Sequence, residues 1–443
     1  MAIITKAPRG TQDVLPEQSG KWQYLEKVAL ETANLYGFKE IRFPTFEHTE
    51  LFARGVGDGT DVVQKEMYTF KDKGDRSITL RPEGTAGAMR TLIEHGVLAG
   101  ALPVKVSYLT SCFRYEKPQA GRLREFHQIG VECLGAEEPT IDAEAIIMLM
   151  RFYETIGIPR ESMRLLINSM GCEKCRPAYR ELVRSYMNEH ADELCETCMT
   201  RAEINPLRAF DCKNEGCAHV MENAPKISDH LCPDCREHYE AVKAYLDAAG
   251  VAYEEDYKLV RGLDYYTRTV FEVQVDNGMG SQNAIGGGGR YDKLVEEVGG
   301  RPTPGLGFAL GYERCALALQ AAGVEFPRAQ HCDLFVACVD DSVHAEAFSL
   351  VQAFRDAGQS ADMDHQKRSL KSQFKLADKL NASMVAILGP DELSEGKVKV
   401  RNMTSHAERL VDLAAMKAIL AKFSSEGAVL TPEQMGEALT EVK

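Results

Sequence analysis

Cys112-Phe-Arg-Tyr-Glu116 and, after a short polar loop, Phe126-His-Gln-Ile-Gly-Val-Glu132 form the stretch that decides how this chain is read. Val104–Arg114 and Arg124–Leu134 read as two strands around a loop containing Gly121, which predicts a long hairpin. Across such a hairpin Arg114 and Phe126 are neighbours. A guanidinium fork suits a phosphate, and an aromatic ring can stack on a purine. Lys117, Arg122 and Arg124 in the loop can meet a second anion. A sheet with a charged, solvated turn is the plainer reading. Gln128 and Glu132, set among apolar residues of the same strand, argue instead for a polar cavity on one face.

Outward from the hairpin, Trp22–Tyr36 reads as a helix with Trp22, Leu25, Ala29 and Ala33 on one face and Gly37 at its end. Phe38–Pro44 reads as a strand stopped by proline, Ile141–Tyr153 as a helix, Thr269–Val275 as a strand and Tyr312–Ala322 as a helix. Gly323–Gln330, with Pro327, reads as a linker. Beyond it, strands at Leu334–Val339, Met384–Leu388 and Lys397–Arg401 are interspersed with helices at Ser342–Ala357 and Lys367–Leu380, the pattern of a small α/β domain. No internal repeat is visible. The predicted class is α+β. An antiparallel-sheet body spans residues 1–325 and is interrupted at 169–255 by a cysteine-rich insertion. An α/β module follows at 331–425, then a tail at 426–443.

Four further motifs carry possible chemistry. Arg81-Pro-Glu-Gly-Thr85 sets a Glu beside Gly and Thr at the entry to a helix, where it can hold an ammonium group; alone, it reads more simply as a proline turn. Arg261-Gly-Leu-Asp-Tyr-Tyr266 is followed by Arg268. Gly286-Gly-Gly-Gly-Arg-Tyr-Asp292 and Gly305-Leu-Gly-Phe-Ala-Leu-Gly-Tyr-Glu-Arg314 are glycine-rich, which lets a backbone approach a ligand closely. Each of these, taken singly, is also a strand with turns.

In this order the motifs resemble the class II aminoacyl-tRNA synthetases. The hairpin is similar to their motif 2, Gly307–Arg314 to motif 3, and Phe38–Glu47 around Pro44 to the looser motif 1 of the dimer interface. Arg81–Thr85, Arg261–Tyr266 and Gly287–Asp292 resemble the signatures of the histidyl-tRNA synthetases in particular. The resemblance implies a catalytic domain of that class and a C-terminal anticodon-binding domain. It implies activation of histidine with ATP and Mg²⁺, transfer to tRNA(His), and a homodimer. Position by position, it implies that Glu83, Thr85 and Gln128 bind the amino group of histidine. Glu132 and Tyr266 would read the imidazole, with Tyr265 nearby. Arg114 would hold the α-phosphate and the histidine carboxylate. Phe126 and Arg314 would enclose the adenine, with Glu116 near its amine and Arg122 at the distal phosphates. Arg261 would be the catalytic arginine. Two non-enzymatic relatives share this ancestry: a regulatory subunit of histidine biosynthesis and an uncharged-tRNA sensor. Both should lack catalytic arginines, whereas Arg114, Arg261 and Arg314 are all present.

Eight cysteines remain: Cys172-x-x-Cys175, Cys195-x-x-Cys198, Cys212-x4-Cys217 and Cys232-x-x-Cys235. Such pairs have the spacing of tetrahedral zinc sites; free buried thiols or a decayed site are the alternative. Because many members of the family have an insertion here without these cysteines, any zinc is expected to be structural. In the C-terminal module Lys367, Lys371, Lys375 and Lys379 are expected along one helix face, and Lys397, Lys399 and Arg401 on one face of a strand. These are local basic surfaces suited to RNA, or solvated charged faces, on a chain whose net charge of −14 by itself argues against nucleic acid. The N-terminal stretch lacks an apolar leader and no run of 18 apolar residues occurs, so a cytoplasmic location with no membrane contact is expected. A reducing compartment favours metal over disulfides. A purely metal-dependent nucleic-acid-binding protein would leave the other motifs unexplained.

Overall fold

The computed structural model describes residues 6–57, 60–275, 283–324, 326 and 332–418. The chain forms two units, Met1–Pro327 and Arg328–Lys443. The tail expected at 426–443, and most of the linker, lie outside the described residues.

The first unit is built on an eight-stranded sheet. Its order is Lys39–Glu40, Val104–Phe113, Glu125–Leu134, Gly305–Gly311, Ala284–Arg290, Thr267–Val275, Met163–Ser169, Glu254–Glu255. The six central strands are antiparallel neighbours; the two short edge strands run parallel to theirs. The hairpin forms, with Cys112 opposite Phe126 and Arg114 beside the Phe126 ring, as expected. The helix predicted from Trp22 begins earlier, at Pro16, whose fixed φ suits a first helical turn. The strand predicted over 38–44 shortens to Lys39–Glu40. Beyond it the carbonyls of Phe43 and Pro44 accept from the buried guanidinium of Arg81 at 3.0 Å each, rather than from a neighbouring strand.

Helices Pro16–Leu35, Pro139–Thr155, Pro233–Ala248 and Tyr312–Ala321 bury apolar side chains against one face of the sheet. The other face carries helix Thr85–Glu94 and a second apolar cluster around Tyr108, Tyr265, Tyr266 and Tyr291. A cavity opens on this face. Much of the glycine pattern makes room for protein side chains rather than for a ligand. A Cβ on Gly130 or Gly84 would lie 2.2 Å from the ring of Tyr108, and one on Gly307 would lie 2.1 Å from the carboxylate of Glu132.

The insertion runs through helices Arg176–Glu189, Glu196–Ile204, Glu215–Glu222 and Pro233–Ala248, with its own core around Tyr179, Val183, Leu207 and Met221. The second unit is a five-stranded sheet of order Ala361–Met363, Leu334–Cys338, Met384–Leu388, Lys397–Asn402, Glu408–Asp412, flanked by helices His344–Asp356 and Leu370–Lys379. Here one expectation fails. Lys367 lies before the helix, at φ +54°, so only Lys371, Lys375 and Lys379 share its exposed side. Lys397, Lys399 and Arg401 do alternate with buried Val398 and Val400, but they pair with Glu395, Glu392 and Glu408.

Candidate active site

The cavity has a volume of about 280 Å³ and lies against four strands of the sheet. Of the twelve residues expected to serve histidine, ATP and catalysis, all but one line it: Glu83, Thr85, Arg114, Glu116, Arg122, Phe126, Gln128, Arg261, Tyr265, Tyr266 and Arg314. Glu132 is the exception. It lies behind the wall, where its oxygens accept hydrogen bonds from Tyr108 Oη at 2.8 Å and from Tyr291 Oη. Tyr291 itself faces the cavity.

Charge is separated within the cavity. At one side sits Glu83, almost fully buried, its two oxygens accepting the main-chain N–H groups of Thr85 and Ala86 at 2.7 and 2.8 Å. Burial nevertheless raises its pKa above the ordinary carboxyl value. Burial does the same to Glu132, pushing it up to about 8 against the hydrogen bonds from Tyr291, Thr85 and Tyr108. Four arginines supply positive charge. Arg114 lies over the ring of Phe126, 5.3 Å from its centroid, with Nε donating to the Pro82 carbonyl at 2.8 Å. Arg122 pairs with Glu116 at 2.5 Å. Arg314 donates to the carbonyls of Gly121 and Ala284 at 3.1 and 2.8 Å. Arg261 pairs with Glu272, whose other oxygen accepts from Gln274 at 2.8 Å. A buried carboxylate with four fixed cations around a polar, partly enclosed space can hold a zwitterion beside a polyanion.

The family model described as histidyl-tRNA synthetase matches residues 10–315, and the one described as anticodon binding domain matches residues 333–423. A histidine–tRNA ligase of Moorella thermoacetica is 50% identical over 425 residues, 96% of this chain and all of that one. One from Caldanaerobacter subterraneus is 50% identical over 406 residues, 92% of this chain and 97% of that one. The chain belongs to the histidyl-tRNA synthetase family. Among solved structures, the apo histidyl-tRNA synthetase of S. aureus is 40% identical, with a TM-score of 0.80 over 95% of this chain and 100% of that one.

Glu272, Tyr291 and Glu313 also line the cavity, though no motif in the sequence singled them out for it. Glu272 was detectable: it and Gln274 are the polar positions of the otherwise apolar run Val270–Val275, so they share one face of the strand. Glu313 accepts from the main chain and ring of His127, within a cluster where Trp22 stacks on Tyr312 at 4.9 Å.

The eight insertion cysteines gather in two groups, nested in sequence: Cys172, Cys175, Cys232 and Cys235, and Cys195, Cys198, Cys212 and Cys217. Within each group the sulfurs lie within 4.8 Å of one another. Sulfur pairs in the first lie 3.7 to 3.9 Å apart, and Cys195 and Cys212 in the second 3.9 Å apart. A tetrahedron with metal–sulfur bonds of about 2.3 Å has edges of about 3.8 Å, whereas a disulfide needs sulfurs about 2 Å apart. All eight are free thiols.

Proposed function

We propose that this protein is an ATP-dependent histidine–tRNA ligase, which forms histidyl-adenylate with release of pyrophosphate and passes the histidine to the 3′ end of tRNA(His). The observation that carries this is the cavity in which Glu83, Arg114, Phe126, Arg261 and Arg314 converge. Glu83, Thr85 and Gln128 take the amino group of histidine; Tyr265 and Tyr266 flank its ring, and Glu132 acts on it from behind Tyr291. Arg114 takes the attacking carboxylate and the α-phosphate, and neutralises charge where the two anions meet. Phe126 and Arg314 enclose the adenine beside Glu116, and Arg122 meets the distal phosphates. Mg²⁺ accompanies the triphosphate and screens it. A pocket of buried polar groups rejects apolar amino acids because they leave those groups unpaired. Histidine-dependent ATP–pyrophosphate exchange tests the reading; a purified, folded protein with no exchange above background would return it to the inactive regulatory subunit or tRNA sensor.

Glu132 should be felt through histidine. Its acid form is favoured in the folded, empty site, with a pKa of about 8. An imidazole N–H that donates to the Tyr291 hydroxyl needs that hydroxyl to donate in turn to an ionised Glu132, so binding releases a proton. Histidine KM should therefore fall as pH rises toward about 8 and level off above it. By the same shift, Glu132 contributes stability at low pH that is lost as pH rises through about 8. Replacing Glu132 with alanine should raise histidine KM by the equivalent of about 1–3 kcal/mol and flatten the pH profile. An unchanged KM and profile would remove it from recognition.

We further propose that each four-cysteine group holds one structural Zn²⁺. Elemental analysis of protein purified without added metal should give close to two zinc per chain; less than one would contradict the assignment. The second unit, with Lys371, Lys375 and Lys379 exposed, is the surface offered to tRNA. Truncation after Pro327 should leave pyrophosphate exchange nearly intact and abolish most tRNA charging, as steady-state charging assays would show; normal charging would rule out an RNA role for the unit. Dimerisation through the Phe38–Glu47 segment should survive the truncation, because that segment lies in the first unit. Among the described residues no helix is long and apolar enough to cross a membrane, and a cytoplasmic location accords with the free cysteines.

A further inference from the structure

Arg261, Tyr265 and Tyr266 stand on an irregular loop before strand Thr267–Val275. Such a loop has no ladder of its own, so its position depends on what holds its main chain. Much of that hold comes from the insertion. Nη2 of Arg208 donates to the Gly262 carbonyl at 2.8 Å and to Asp264 Oδ1 at 3.0 Å. Asn205 Nδ2 donates to the same oxygen at 3.2 Å. Arg176 donates to the Tyr266 carbonyl, and also to those of Met170 and Gly171 at 3.1 and 3.4 Å. Val260, the residue before Arg261, packs against the core of the insertion. On its other side the Asp264 N–H donates to the carbonyl of Val56, the last residue of helix Thr49–Val56, at 3.3 Å.

These clamping residues are tied to the two cysteine groups. Arg176 directly follows Cys175 and opens helix Arg176–Glu189. Asn205 and Arg208 lie between Cys198 and Cys212, Arg208 within the turn Pro206–Asp211 that ends at Cys212. One group thus fixes the clamp on Tyr266, and the other fixes the clamp on Gly262 and Asp264.

We propose that the insertion is the outer support of the activation site: Arg176, Asn205 and Arg208 are positioning residues for the Arg261–Tyr266 loop, and the two metal sites hold them rigid. This deepens the synthetase reading and rests on it. It gives structural zinc in the insertion a consequence for adenylate formation. A displacement of about 1 Å in a catalytic group can cost on the order of 10²-fold in rate.

The test uses the full-length, zinc-loaded protein. In Arg176→Ala and in Arg208→Ala, single-turnover adenylate formation should fall about 10- to 100-fold. Histidine KM should rise, and ATP KM should move little, because Arg114, Phe126 and Arg314 stand on other elements. Hydrogen exchange should quicken at 261–266 while zinc content and melting temperature hold. Arg208→Lys should recover part of the rate by keeping the charge beside Asp264. Asp264→Asn, nearly isosteric, serves if an alanine variant does not fold. Rates within twofold of the parent in both arginine variants would overturn the clamp. Removing zinc with a chelator should slow the parent by a similar factor and the Arg176→Ala/Arg208→Ala double variant much less, because its clamp is already open. An equal fractional loss in both would overturn the link between metal and loop. A parent with no exchange activity would instead sink the synthetase reading itself, so the two failures are distinct.

Discussion

Replacing Arg261 with alanine is expected to slow adenylate formation by about 10²–10³, the range seen when one preorganised donor to a transition state is removed. Two anions must meet at the α-phosphorus, the carboxylate of histidine and the triphosphate. The charge that shifts onto the non-bridging oxygens has to be met by cations already in place. Arg261 has the right setting. It lines the cavity, and Glu272, held in turn by Gln274, keeps its guanidinium charged and oriented. Burial would lower its pKa, but the charge of Glu272 together with Tyr266 and Tyr265 outweighs this and raises it. An interaction made mainly in the transition state lowers kcat while leaving the KM values for ATP and histidine nearly unmoved. Transfer from preformed adenylate to tRNA should suffer less than activation. Lysine should rescue only in part, because a point charge cannot reproduce two parallel N–H contacts. Rapid-quench measurement of the first turnover decides the matter. A folded Arg261→Ala protein with a normal rate would reduce Arg261 to a packing residue.

What could be read from the sequence followed local rules. The hairpin was legible because its alternation is local, and Gln128 on an apolar strand betrayed a cavity face. The Cys-x-x-Cys spacing announced that the cysteines would cluster, but not the nested pairing of Cys172/Cys175 with Cys232/Cys235, which joins residues some 60 apart. Phe38–Pro44 failed as a full strand because Arg81, almost forty residues away, takes its carbonyls. Glu132 was placed in the pocket because its strand position faces it. Tyr291, which donates to Glu132, lines the space in its stead, and no pattern along one strand reveals a side chain arriving from another. The clamp on the Arg261–Tyr266 loop was invisible for the same reason: Arg176 and Arg208 look like ordinary helix-surface arginines until the insertion folds back.

The same distance in sequence hides the residue whose loss should cost the fold most. Asp142 and Arg290, 148 positions apart, form a fully buried ion pair. Asp142 also accepts from Arg290 Nε and from His238 Nε2, both at 3.2 Å, and His238 Nδ1 is 3.3 Å from Arg268, which assigns the proton of its ring to Nε2. Arg290 further donates to the Ala136 carbonyl at 2.9 Å. The helix of residues 139–155, the Ala284–Arg290 strand and the last helix of the insertion therefore meet at one carboxylate. Truncating Asp142 to alanine leaves a buried guanidinium without its counter-charge, which should destabilise the first unit by about 3–5 kcal/mol. Replacing both partners, Asp142→Leu with Arg290→Met, should cost less than the single change, because no charge is then stranded. Burial alone would raise the pKa of Asp142, but Arg290 and His238 outweigh it and hold it below the ordinary 3.8. Its contribution is therefore complete above that value and fades as pH falls through the depressed one. Denaturant unfolding of the two variants and the parent, at neutral pH and near pH 3, gives both comparisons. Because Tyr291 follows Arg290 directly and faces the cavity, the single variant should also lose histidine activation at temperatures the parent tolerates. A single variant destabilised by less than about 1 kcal/mol, or a double variant worse than the single, would show that Asp142 is not what keeps Arg290 buried.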